Sequence, residues 1–348
     1  MCRAGGVAGV YWLELAGEDD AFAVREAATV APGAETVAPG VAVAGSLDER
    51  RVPTLAYVHA AGPLVGRSAP TVAEARAVVE TATLDREGSV AVRARDVRGL
   101  ADIDTQAAER ALGGALVDRG FAVDLDDPDH VLRALFSEGT CAVGWVGAES
   151  DRTFADRTPT DRPFFQPGSM APMDARALVN VAGAGPDRRL LDPMCGTGGV
   201  LVEAGLVGAD VVGVDAQAKM VAGTRRNLRE YCAGAGDDGD SDGADGAKTD
   251  FALARGDATR LPVATDAVDC AVFDAPYGRQ SKIAGDDLGA LVGGALAETR
   301  RTVAADGRAV LVADRSWRSR ALDAGWRVET VFERRVHRSL TRFVHVLD

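Results

Sequence analysis

Lysine is almost missing from this 348-residue chain: only Lys219, Lys248 and Lys282 occur, and the other 36 of its 39 basic residues are arginine. Aromatic residues are also scarce, at 5%. The five cysteines, Cys2, Cys141, Cys195, Cys232 and Cys270, are scattered and include no Cys-x-x-Cys pair, which leaves no basis for a disulfide framework or a zinc site. No apolar run reaches about 18 residues and no charged start leads into an apolar stretch, so a soluble, cytoplasmic protein without a membrane partner is expected. Net charge is -13, which at first argues against nucleic acid, because phosphate binding is usually driven by Lys and Arg. The kind of charge weakens that argument. Aspartate on an Ala, Gly and Val background, with arginine in place of lysine, resembles proteins of salt-loving archaea, whose carboxylates keep the surface solvated at high ionic strength. Local arginine clusters then carry the information that the net charge does not.

What is present centres on Leu190-Leu191-Asp192-Pro193-Met194-Cys195-Gly196-Thr197-Gly198-Gly199. An apolar strand that passes through Asp-Pro into a glycine-rich turn and then an apolar helix lets backbone approach a ligand closely. A second apolar strand ends at Asp215, where a carboxylate can bind both hydroxyls of a ribose. Gly256-Asp257-Ala258 ends a third strand and could hold an adenine amino group. That much suits a dinucleotide or S-adenosylmethionine equally. Asp274-Ala275-Pro276-Tyr277, after the strand over 268–273, separates the two, because a dehydrogenase has no use for it. A carboxylate and a loop carbonyl of Ala275 or Pro276 can accept hydrogen bonds from an exocyclic NH2 while Tyr277 stacks on the ring. Cys195 reads as a small buried residue and not as a nucleophile, since no catalytic-cysteine signature accompanies it.

At these residues the chain resembles the class I S-adenosylmethionine-dependent N-methyltransferases, whose loop is Asp/Asn-Pro-Pro-Tyr/Phe. Ala275 stands in place of the first proline, which leaves the loop freer at that point. The segment from Arg162 to Met170 (Arg-Pro-Phe-Phe-Gln-Pro-Gly-Ser-Met), the following Met173 to Asn180 and the terminal His337-Arg338-Ser339-Leu340-Thr341-Arg342 resemble the archaeal tRNA guanine-10 N2-methyltransferases. That resemblance covers 162–348 closely and the earlier residues only in layout.

The resemblance implies an α/β Rossmann-like methyltransferase domain over 164–348, with a seven-stranded, mostly parallel sheet ending in an antiparallel hairpin. It implies a ferredoxin-like α+β unit at 1–55 and a THUMP-like RNA-binding domain at 56–148, with 149–163 as linker. The Asp/Gly-rich stretch 234–250 reads as a solvated loop. The implied site has Asp274, Pro276 and Tyr277 as catalytic residues. Asp192, Cys195, Gly196, Thr197, Gly198, Asp215, Asp257, Ala258 and Asp274 are the residues around S-adenosylmethionine, and no metal is needed. The partner is tRNA, bound by a monomer. Arg93, Arg95, Arg98 and Arg338 are the arginines expected on RNA, since a guanidinium pairs bidentately with phosphate; solvated surface arginines paired with Asp are the plain alternative. Adenine N6, ribosomal guanine N2 and a protein glutamine amide remain open as acceptors, and a non-catalytic RNA-binding protein on the same fold as the other class.

Overall fold

A computed structural model describes residues 9–232, 249–277, 285–337 and 340–348. The chain divides into two compact units, residues 1–151 and 152–348.

Unit 1 contains β1 (Tyr11–Leu15), α1 (Asp20–Ala27), β2 (Glu35–Ala38), β3 (Val41–Ala44), β4 (Val58–Ser68), α2 (Val72–Thr81), β5 (Ser89–Asp96), α3 (Thr105–Asp118), β6 (Ala122–Val123), β7 (His130–Ser137), β8 (Thr140–Trp145) and β9 (Ala148–Glu149). The helix starts follow side-chain capping. Asp19 accepts from the Phe22 N–H, Thr71 from that of Glu74 and Asp104 from that of Ala107, each satisfying a first-turn donor that the helix leaves unpaired. Sequence suggests two small units divided near residue 55. The strands on both sides of that division join in one nine-stranded sheet in the order β2-β3-β1-β4-β8-β7-β5-β6, with β9 also on β4. The 11-residue β4 makes this possible, pairing with β1 through its first half and β8 through its second. Leu112, Leu116, Leu132 and Phe136 fill the core under α2 and α3.

Unit 2 contains α4 (Pro172–Ala182), β10 (Arg189–Asp192), α5 (Gly199–Leu206), β11 (Asp210–Asp215), α6 (Ala218–Tyr231), β12 (Phe251–Arg255), β13 (Val268–Asp274), α7 (Gly285–Thr302), β14 (Val303–Ala313), α8 (Arg318–Asp323), β15 (Val328–His337) and β16 (Leu340–Leu347). Its seven-stranded sheet runs β12-β11-β10-β13-β14-β16-β15. The first five strands are parallel, and β16 enters antiparallel between β14 and β15. Chain order reverses between β10 and β13, the place where open α/β sheets bind ligands at the carboxyl ends of their strands. Leu191, Val214, Phe273 and Leu311 are fully buried beneath that edge.

The stretch read as a polar linker, 149–163, is mostly exposed but anchored by a few buried side chains. Phe154, Arg157 and Arg162 are buried. The cause is Glu203 in the middle of α5, fully buried and bound by Arg157 (Nε–Oε1 2.7 Å) and Arg176 (Nη2–Oε2 2.9 Å). A carboxylate in that position needs cations; Arg157 of the segment supplies one and Arg176 of α4 the other. Of the loop read over 234–250, residues up to 248 lie outside the described ones. Thr249 at its end is buried, its hydroxyl donating to the Gly205 carbonyl.

Candidate active site

The glycine turn follows from the end of β10. Cys195 donates its N–H to the Val214 carbonyl at 2.9 Å, which holds the turn against β11, and Gly198 donates to Cys195 at 2.7 Å, which closes it. Gly196 and Gly198 have φ of 53° and 77°, backbone that side chains with a Cβ adopt at a cost. Gly198 is further constrained, because a Cβ there would stand 2.5 Å from Thr224 Cγ2. Burial pushes the Cys195 thiol far up, so no thiolate forms there.

Around this turn lies a cavity of about 200 Å³, lined in part by Gln166, Ser169, Asp192, Gly196, Thr197 and Asp274. Asp192 is 3% exposed. Burial lifts its carboxyl well above the usual carboxylate range; the Met194 N–H opposes the rise, and the Asp215 and Asp274 charges add to it. A pocket with acids in this state favours a cation, since positive charge nearby would relieve them.

Asp215 has both oxygens occupied, one by the Gly196 N–H at 3.0 Å and one by the Gln217 N–H at 2.8 Å. It therefore ties β11 to the glycine turn, a part the sequence did not show. Asp257 is exposed and accepts from the N–H and hydroxyl of Thr259, both at 2.8 Å. Those bonds hold its carboxyl below the usual range. Asp257 and its buried neighbour Ala258 stand past the end of β12 and do not line the cavity.

Asp274 ends β13. Burial raises its carboxyl to about 6, while Arg342 and the Tyr277 hydroxyl favour its charged form. The Tyr277 hydroxyl donates to Asp274 Oδ1 at 2.8 Å and accepts from Arg342 Nε at 3.1 Å. Ala275 is buried, and its N–H donates to Val312 at 2.8 Å. That bond, which a proline could not make, pins the loop where the sequence suggested freedom. Pro276 follows, half-buried.

Several site residues went unread in the sequence. Asn227 of α6 accepts from the Phe164 N–H and donates to the Phe164 and Thr197 carbonyls, at 2.9, 2.9 and 2.8 Å. Ser169 and Thr197 share a hydroxyl bond at 3.0 Å. Together these fasten segment 164–169 over the glycine turn. The signal available was the Gly223-to-Asn227 spacing on α6: a Cβ at Gly223 would meet the Phe164 ring.

In unit 1, Arg93 donates to the Leu125 carbonyl at 2.8 Å, Arg95 pairs with buried Glu14, and Arg98 pairs with Asp20. Arg338 lies outside the described residues. Among the described residues no helix is long and apolar enough to cross a membrane, and no group of three or more His, Cys, Asp or Glu could hold a metal ion.

The model of the RMKL-like methyltransferase domain matches residues 159–343. Over 298 residues the chain is 35% identical to the tRNA (guanine(10)-N2)-dimethyltransferase of Methanothermobacter thermautotrophicus, covering 84% of this chain and 83% of that one. It is 31% identical over 250 residues to the enzyme of the same name from Pyrococcus abyssi, covering 69% and 68%. The crystal structure of TrmN from Thermus thermophilus shares the fold, with a TM-score of 0.50 and 22% identity over 97% of this chain and 99% of that one. A methyltransferase model over more than half of the chain, and a relative aligned over most of both lengths, give one conclusion: the chain belongs to the family of the archaeal tRNA (guanine(10)-N2)-dimethyltransferases.

Proposed function

We propose that this chain methylates the exocyclic N2 amine of guanosine 10 in tRNA, to N2-methylguanosine and then N2,N2-dimethylguanosine, with S-adenosylmethionine as donor. The observation that carries the reading is the placement of Asp274 on the cavity formed by the glycine turn. A half-buried carboxylate facing that cavity suits an NH2 group, and the surrounding acids suit a donor that is positively charged.

The residues fit such a donor. The Gly196 and Gly198 backbone and the buried Asp192 would hold its amino-acid end, and, beyond the residues that line the cavity, Asp215 would take its ribose and the turn at Asp257 and Ala258 its adenine. When bound, S-adenosylmethionine supplies an electrophilic methyl on a sulfonium that is its own leaving group. The chain then has little acid-base work to do. Guanine N2 is a poor nucleophile because its lone pair is delocalised into the ring. Asp274 Oδ1 is already taken by Tyr277, so Oδ2 accepts a substrate N–H, joined by a loop carbonyl at Ala275 or Pro276. Two acceptors on one NH2 fix its rotation and localise the lone pair, and positioning of this kind supplies most of the rate. As the methyl joins the nitrogen, one N–H proton leaves to Asp274 Oδ2 and from there to solvent; after the first transfer one N–H remains for Asp274, which permits a second. The base must leave its stack to reach the pocket, with the Tyr277 ring available to face it.

We read unit 1 as the RNA-receiving half: a ferredoxin-like part over 1–55 and a THUMP-like part over 56–148, with Arg93, Arg95 and Arg98 toward phosphate; Arg338, expected on RNA from the sequence, lies outside the described residues. Arg95 and Arg98 would exchange Glu14 and Asp20 for phosphate oxygens. The chain acts as a monomer in this reading.

Asp274→Asn tests the chemistry. It keeps the shape but turns a donor toward the substrate's donor. Methyl transfer to tRNA should fall by roughly 10²-fold or more, with donor affinity by calorimetry unchanged; full activity in this variant removes Asp274 from the reaction.

A further inference from the structure

Asp274 and Tyr277 are the visible end of a longer chain of polar contacts. Arg342, on β16, donates from Nε to the Tyr277 hydroxyl at 3.1 Å and from Nη1 to Asp174 Oδ2 of α4 at 3.4 Å. Arg334, on β15, donates to the other oxygen of Asp174 at 3.1 Å. The run Asp274–Tyr277–Arg342–Asp174–Arg334 therefore joins the reaction loop, the first turn of α4 and both strands of the C-terminal hairpin. All five side chains are partly buried, where charge-assisted bonds are stronger and harder to replace with water.

We propose that Arg342 is a positioning residue for methyl transfer: acting through the Tyr277 hydroxyl, it fixes which oxygen of Asp274 faces the substrate amine, and it keeps that carboxylate charged. This rests on the reading of Asp274 as the acceptor of the amine's hydrogen.

The geometry gives each part a task. Tyr277 can donate only one proton. With Arg342 occupying the oxygen's acceptor side, the proton is directed to Asp274 Oδ1, and Oδ2 is left for the substrate. The same two bonds hold the hydroxyl of Tyr277 at both sides and so fix the plane in which its ring can meet a base. Asp174 holds Arg342 in turn, with Arg334 balancing its charge.

The electrostatics run in the same direction. Among the described residues, the charged and titratable groups facing Asp274 are Tyr277 on its own loop, Arg342 on β16, Asp174 at the start of α4, Asp314 after β14 and Asp192 at the end of β10. Arg342 is the cation in that set, opposed by three further acids. Burial already lifts Asp274 to about 6. Without Arg342 the remaining neighbours, apart from the Tyr277 hydroxyl, all push it higher. A rise of about two units lies within the range that one close opposite charge commands. At pH 7 it would take the ionised share from about nine-tenths to about one-tenth, roughly a tenfold fall in rate.

Two measurements on the full chain test this. The first follows the Asp274 carboxyl carbon by NMR across pH, assigned by its loss in Asp274→Asn, for wild type, Arg342→Gln and Arg342→Lys. The midpoint should lie near 6 in wild type, rise by about two units in Arg342→Gln, and return toward the wild-type value in Arg342→Lys, which keeps the charge. The second compares methyl transfer to tRNA with donor affinity. In Arg342→Gln, kcat/KM for tRNA at pH 7 should fall about tenfold, the acid limb of its pH profile should move up with the NMR midpoint, and donor Kd should hold. In a Tyr277→Phe background the same substitution should cost less, because the relay is already cut. An unmoved midpoint in Arg342→Gln, or a rate loss matched by lost donor affinity, overturns the proposal. The NMR arm needs no RNA, so its outcome for Arg342 is separate from the substrate assignment, which the tRNA arm alone decides.

Discussion

Asp215 shows how a residue marked in the sequence for one role can carry another in the structure. Its place at the end of an apolar strand, a short distance after a glycine turn, marks it in the sequence as a ribose carboxylate. The structure adds that it already accepts the Gly196 and Gln217 N–H groups. Removing it therefore loosens the turn as well as the proposed ribose contact. Asp215→Ala should weaken S-adenosylmethionine binding by about 1.5–3 kcal/mol, the scale of hydrogen bonds to a charged group, measured by calorimetry. Unchanged affinity would take Asp215 out of the donor site. Asp192, Gly196, Gly198 and Asp274 were legible for the same reason as Asp215: each sits where a strand or turn must stop, and side-chain chemistry at strand ends is written locally. Asp174 and Arg342 were not, since they reach the site from elements 168 residues apart, and nothing near either one in sequence announces a partner.

At the scale of elements, the alternating strands and helices of unit 2 follow from apolar runs and glycine punctuation, and the closing antiparallel hairpin was expected from the resemblance. Two features were not readable. Insertion of β16 between β14 and β15 depends on which edge of β14 is open, a property of the assembled sheet. Segment 149–163 looked solvated because its arginines were counted as surface charge. Glu203, lone among the apolar residues of α5, was the clue that they would be drawn inward. The fastening of segment 164–169 makes a sharper claim. Asn227 uses its amide to satisfy three backbone groups across Phe164 and Thr197. Asn227→Ala leaves them unpaired and should cost about 1–3 kcal/mol of stability by denaturant unfolding, with a raised KM for the donor. Normal stability together with a normal KM would show that the segment is held by other contacts.

Over the whole molecule, each unit has its own core, and the donor-site residues all belong to residues 152–348. That half alone should bind S-adenosylmethionine with near-native affinity yet methylate tRNA poorly; full tRNA activity from it would contradict the assignment of RNA recognition to unit 1. The charge of -13 makes any RNA contact depend on local arginines and on salt, so assays belong in molar salt as well as dilute buffer. The most direct test is the product itself. Unmodified tRNA incubated with the full chain and S-adenosylmethionine, then mapped by nuclease digestion and nucleoside mass spectrometry, should gain N2-methylguanosine and later N2,N2-dimethylguanosine at position 10; methylated adenine, or label found only in protein, would contradict it.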